Sequence, residues 1–302
     1  MYTIIDVGES KICNHSSPSM WTSEYYRYCL RLLIAALHGS VKPLNVIFGD
    51  IECDFHNSNK TVKIDIQSEH TLVKLGGRSV DEIVWGNIDL LDGTGKYLIR
   101  IPNYGYYSSL DATIEYSLPN IVNIGSNDKF NDYLRRAVYI PPIIYDCPDF
   151  NVEERSSIIT LGNNSDRRTE FARKAAECSL DISSVQNVLS KDHLKRVYNK
   201  TKIMVNVHQT DHHHTLEELR ILPALCNGVI VVSEDVPLKD VIPYSDYIVW
   251  SSYDNLAETV RDVQNNYSNY HKKIFTHNLE SKLMLSCEGN IEKFGRLIDR
   301  LT

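Results

Sequence analysis

The sequence predicts an α/β protein of the doubly wound kind, and three observations carry that expectation. Residues 214–235, HTLEELRILPALCNGVIVVSED, read in direct succession as a helix, a glycine stop and a buried strand. The same alternation runs upstream through SSIITLG (156–162), DRRTEFARKAAEC (166–178) and KIMVNVHQ (202–209). Apolar runs of this kind suit parallel strands covered by helices on both faces. At 302 residues the chain exceeds the ~100–150 of a typical domain, so two domains are expected.

In chain order, YTIIDV (2–7) reads as a strand, EYYRYCLRLLIAALHG (24–39) as an amphipathic helix and LNVIFGD (44–50) as a strand, giving a β-α-β opening. TVKIDIQ (61–67) alternates like a strand and EHTLVKL (69–75) continues extended. GGR (76–78) then breaks the chain, and KYLIRI (96–101) follows the turn DGTG. A helix is expected across 106–117, a strand at NIVNIGS (120–126), a short helix at NDKFNDYLRRA (127–137) and an extended VYIPPII (138–144). Pro141, Pro142 and the sequence DCPD (146–149) make a stiff crossing, so the domain boundary is placed near residue 147. Beyond it the β-α alternation is regular as far as a strand at YSDYIVW (244–250), and helices close the chain.

Composition bounds the function classes. Hydrophobic residues make up 42% and charged residues 24%, which is the mixture of an ordinary globular protein. With 32 basic and 39 acidic residues the net charge is -7, so a broad nucleic-acid surface is not expected. The seven cysteines are scattered, odd in number and never spaced CxxC, as in proteins that keep their thiols reduced. MYTIIDVGES has neither a basic start nor a long apolar run, and no stretch approaches the ~20 apolar residues of a membrane helix. A cytoplasmic protein without a membrane span is therefore expected, in which the five Asn-x-Ser/Thr sequons carry no glycan.

The chemistry-bearing residues cluster where strands give way to helices. After SSIITLG come Gly162, Asn163 and the pair Arg167 and Arg168, beside a helix N-terminus whose free N–H groups favour an anion. A guanidinium fork there suits a diphosphate, and a solvated first helical turn is the alternative. The loop HQTDHHHT offers His208, Thr210, His214 and Thr215 to a cleft; pocket lining, plain surface and a metal site are its three readings, and consecutive imidazoles diverge too much to favour the metal. Thr215 with Glu218 reads as a capping box, which leaves Glu217 for the hydroxyls of a ribose and Arg220 either for a phosphate or for holding that glutamate, while Pro223 is expected to bend the helix.

The stretch TLEELRILPALCNGVIVVSEDVPLKDVIPYSDYIVW resembles the C-terminal domain of GT-B glycosyltransferases, especially exostosin-like ones and the small glycosyltransferases of large algal DNA viruses. The similarity covers residues 156 to about 262. It implies a GT-B fold, two Rossmann-like domains facing across a cleft, with an acceptor domain at 1–147, a donor domain at 148–302 and a last helix that packs back on the first domain. It implies glycosyl transfer from a nucleotide-sugar, UDP-linked and with xylose as the first sugar to test, to a glycan or glycoprotein in the host cytoplasm. No cofactor beyond that co-substrate and no metal are implied. Gly162, Asn163, Arg167, Arg168, His208, Thr210, His214, Thr215, Glu217, Glu218 and Arg220 would bind the donor. Retaining members commonly carry two glutamates eight positions apart, and Thr215 and Pro223 stand there instead, which favours inversion.

An inverting transfer needs a base from the first domain. Asp6, Asp50, Glu52, Asp54, Glu69 and His70 follow expected strands, with Glu69 and His70 foremost because they precede the GGR break. Gly8 is a candidate cleft residue, and Tyr104, Tyr106 and Tyr107 offer flat faces to an acceptor sugar or to a core. A nucleotide-sugar epimerase and a nonenzymatic sugar- or nucleotide-binding module are the alternatives on the same scaffold. A dinucleotide oxidoreductase is disfavoured because no GxGxxG follows an expected strand.

Overall fold

The structure is a computed structural model that describes residues 2–15, 23–74, 84–89, 96–144, 150, 155–186, 190–212 and 215–302, of which 84–89 and 96 as backbone. The expected GGR break, the DGTG turn, the boundary near 147 and His214 lie outside the described residues. The chain is mixed α/β. Its first part runs β1 (Tyr2–Val7), β2 (Ser10–His15), α1 (Ser23–His38), β3 (Leu44–Phe48), β4 (Lys60–Gln67), β5 (Leu72–Lys74), β6 (Val84–Asp89), β7 (Lys96–Arg100), α2 (Tyr104–Ser109), β8 (Ala112–Glu115), α3 (Leu118–Gly125), α4 (Asn131–Arg136) and β9 (Ala137–Tyr139). The second runs β10 (Ser157–Leu161), α5 (Asp166–Glu177), β11 (Ile182–Val185), α6 (Lys191–Lys200), β12 (Thr201–Asn206), α7 (Glu218–Cys226), β13 (Ile230–Glu234), β14 (Val249–Ser251), α8 (Leu256–Asn265), α9 (Tyr267–Ile274) and α10 (His277–Leu301).

Among the described residues the strands form three sheets. The first has the order β1-β2-β3-β4-β8-β9 and is parallel except for β1. The second, β11-β10-β12-β13-β14, is parallel throughout, and a small antiparallel sheet runs β5-β7-β6. The apolar runs of β3 and β13 are buried along their whole length, as strands covered on both faces require. One core lies around the second sheet and another around the first. The 25-residue α10, ~37 Å long at 1.5 Å per residue, joins them. Leu279 and Leu283 enter the core of the second sheet, while Phe294, Leu297, Ile298 and Leu301 pack into that of the first, against α1.

Four sequence expectations need correction. The opening is a β1–β2 hairpin, made possible by Gly8 at φ 61° in a two-residue turn, before α1 begins. The helix expected across 106–117 stops at Ser109, and Ala112–Glu115 is a fully buried strand between β4 and β9. The strand expected at 120–126 is the helix α3: Pro119 sits in its first turn, and only one side of it is buried. The strand expected at 244–250 is a single 3₁₀ turn, Ser245–Tyr247, followed by the three residues of β14.

Candidate functional site

β10 and β12 are parallel neighbours, so the loops leaving their carboxyl ends lie side by side. Ser165 caps α5 by accepting from the Arg168 backbone N–H at 3.3 Å, and that cap aims the Arg168 side chain back over the strand ends. There its Nε donates to the Val207 carbonyl (3.0 Å) and its Nη1 to the Asn163 carbonyl (2.6 Å). Arg220, in the first turn of α7, donates from Nη1 to the Leu161 carbonyl at 3.2 Å. The two guanidiniums converge on Gly162: a Cβ there would stand 2.8 Å from Arg168 Nη1 and 3.0 Å from Arg220 Nη1. Burial and the neighbouring Arg220 charge both push the Arg168 pKa down, while Glu217 partly opposes them. Arg168 Nη2 is buried without a hydrogen-bond partner among the described residues.

Glu217 lies between this pair and the first sheet. Its Oε2 is 3.3 Å from Arg220 Nη2, and its Oε1 is 3.4 Å from His70 Nε2. His70 Nδ1 in turn lies 3.2 Å from the Tyr116 hydroxyl, just beyond β8. Burial alone would raise the Glu217 pKa, but the charges of Arg220, His70 and Arg168 outweigh it and hold the carboxyl well below its usual range. A polar path thus runs Tyr116–His70–Glu217–Arg220–Gly162–Arg168 from one sheet to the other. A backbone bond from Lys74 N to His212 O (3.0 Å) crosses the same junction.

Other expected site residues are placed differently. Arg167 turns away from Arg168 and pairs with Glu234, its guanidinium 3.8 Å above the Tyr253 ring. The buried His208 donates its backbone N–H to Glu234 Oε2 at 3.1 Å, and Thr210 Oγ1 accepts from the His212 N–H at 3.2 Å. The capping box is not formed: α7 begins at Glu218, its N-cap is Glu217, and no side chain caps it. Thr215 and Glu218 are both buried; Glu218 accepts from the Tyr244 hydroxyl, and burial pushes its pKa up to about 7. A capping box needs Thr215 at the N-cap and Glu218 three residues into the helix, and a helix that starts at Glu218 leaves neither in place.

On the first sheet, Glu69 is 59% exposed and 3.9 Å from Arg100, so His70 alone of that pair reaches Glu217. Asp6 pairs with Lys11 across the β1–β2 hairpin. With Gly8 it lies at the amino end of β2, opposite the strand ends that carry His70. Tyr104 packs against Phe130 and Tyr133 in a small core. Tyr106 donates to Asp65 Oδ2 at 2.8 Å, and Tyr107 to the Ile66 carbonyl at 3.1 Å. Burial raises the Asp65 pKa and outweighs the hydrogen bonds that lower it.

Sequence reasoning missed Glu234, Tyr116 and Asp65. A carboxylate closing the buried run IVVSE was the available signal for Glu234, since a buried charge needs a partner; nothing local marks the other two. Among the described residues, no group of three or more His, Cys, Asp and Glu is placed to hold a metal ion. Also among them, no helix is long and apolar enough to cross a membrane.

No family model matches the chain. It is similar to an uncharacterized protein, R358, of Acanthamoeba polyphaga mimivirus: the two are 25% identical over 215 residues, which cover 67% of this chain and 74% of the viral protein.

Proposed function

We propose that the protein is a glycosyltransferase of GT-B type, which binds a nucleotide-sugar, UDP-linked in the first instance, between its two larger sheets and transfers the sugar to a glycan hydroxyl with inversion. The observation that supports this reading best is the convergence of Arg168 and Arg220 on Gly162, beside Glu217. Two like charges held against one glycine repel each other, and a diphosphate between them removes that cost while gaining charge-assisted hydrogen bonds. The same groups then stabilise the negative charge that develops as the diphosphate leaves, without a metal. The Glu217 carboxylate, kept ionised by its neighbours, is suited to accept from ribose hydroxyls. His70 is the candidate base in this reading, because donor binding at Glu217 frees its Nε2 toward the acceptor.

A thermal-shift series tests the proposal, since a ligand that binds only the native state raises its stability. UDP-xylose or another UDP-sugar is expected to raise the melting temperature, and Arg168→Ala or Glu217→Ala to abolish the rise. His70→Gln is expected to keep donor binding and lose turnover. A flat response to every UDP- and GDP-sugar would overturn the reading, as would activity that chelator removes and manganese restores. A donor that binds and is never consumed, whatever glycan is offered, would leave a binding module instead.

A further inference from the structure

A groove on the other side of α7 has no part in that reading. It lies between β9, the crossing at 140–144 and α10, and two cavities of about 390 and 210 Å³ meet in it. Tyr139 and Lys293 line both. The larger cavity has a cationic rim of Lys293, Arg296 and Arg300, successive turns of α10. The smaller has apolar walls from Ile143, Leu222 and Leu283.

The rim is positively charged in a protein of net charge -7. The Lys293 ammonium lies 4.7 Å from the Tyr139 ring centroid, and no carboxylate pairs with it among the described residues. Burial and then the Arg296 charge push its pKa down, so an anion at this point would restore what the lysine loses. Arg296 shares its charge with Glu292 at 3.3 Å, both well exposed, and Arg300 donates to the Arg135 carbonyl at 2.9 Å, which leaves its charge unneutralised. A cationic rim on its own would suit any anion. The adjoining apolar chamber narrows the choice, because filling it removes hydrocarbon from water.

The geometry points to a second ligand site in this groove, for a small amphiphilic anion whose phosphate head is held by Lys293, Arg296 and Arg300 and whose aliphatic tail lies against Ile143, Leu222 and Leu283. Such a ligand touches both parts of the molecule. Ile143 belongs to the crossing, Leu222 to α7, and Tyr244, on the same chamber wall, donates to Glu218 at the start of α7. The site does not depend on the glycosyltransferase reading.

The test is calorimetric titration of the full chain with decyl phosphate below its micelle-forming concentration. One-to-one saturable binding is expected, weakened at least tenfold by Lys293→Gln, which removes the central cation. Ser286→Phe, which fills the chamber from a half-buried position on α10, is expected to weaken it as much. Circular dichroism establishes that both variants fold. Arg168→Ala is expected to leave the affinity unchanged; a loss there would put the ligand in the arginine pocket and overturn the proposal. Absence of saturable binding, or inorganic phosphate or decanol binding as tightly as decyl phosphate, would overturn it too, as would unchanged affinity in both groove variants.

Discussion

Gly162 decides how closely the two guanidiniums approach the strand end. Its φ of 121° lies in a region that side-chain-bearing residues rarely adopt, and the space a Cβ would take is already filled by Arg168 and Arg220. Gly162→Ala therefore meets two penalties at once, a strained backbone and two displaced arginines. It should lower stability by about 1–3 kcal/mol and abolish the thermal shift given by a UDP-sugar. Urea unfolding with and without the nucleotide measures both, and a parental midpoint in the variant would show that the arginines do not press on this position. At this scale the sequence was legible where chemistry is local: Gly162, Arg168, Glu217 and Arg220 stand at strand-to-helix junctions, at the strand end, the helix cap or the first helical turn, whose position follows from β-α alternation. It was not legible for Arg167, because its partner Glu234 is sixty-seven residues away, at the end of β13.

Elements were readable where burial leaves one periodicity and ambiguous where two compete. β10, β12 and β13 are short apolar runs between turn signals, as strands of a parallel sheet covered by helices are; β13 is buried along its whole length and β10 and β12 along most of theirs. NIVNIG is a short run with three apolar residues that a strand could bury; Pro119 in the first turn and burial of Asn120, Asn123 and Ile124 on one side settle it as the helix α3. β2, SKICNH, has no clear apolar pattern, yet four of its six residues are buried. α10 was readable as a helix, and the resemblance implied that it packs back on the first domain; that α1 is the element it meets was not readable, because α1 lies more than two hundred residues upstream. That distance makes its role testable. Phe294 is fully buried in the core of the first sheet, so Phe294→Ala should cost about 3–5 kcal/mol in urea unfolding. The exposed Ile291, three residues earlier on the same helix, should tolerate alanine within about 0.5 kcal/mol. Equal losses at both positions would mean that α10 does not pack on α1 in the way described.

Across the whole molecule, stability should depend on pH through carboxyls that the fold keeps out of water. Burial raises Glu115 to about 8 and Glu218 to about 7, from an ordinary value of 4.5. Between 4.5 and these values the native chain holds protons that the unfolded chain has released. Stability therefore falls as pH rises through that window, and the loss is complete above about pH 8. Glu217 works in the opposite sense: its folded pKa is lowered, so its contribution is present above 4.5 and is lost only as pH falls further, outside the window. Glu218 can be separated from Glu115 because a neutral amide keeps the Tyr244 contact and removes the titration. For one group moved from 4.5 to about 7, the difference is roughly 3 kcal/mol at 1.36 kcal/mol per unit. Urea unfolding of the parent and of Glu218→Gln at about pH 5 and about pH 8 should show the parent losing about 2–3 kcal/mol more than the variant between the two. Identical pH dependence in the two proteins would mean that Glu218 is ionised in the fold, and hence that water reaches the junction where α7 meets Tyr244.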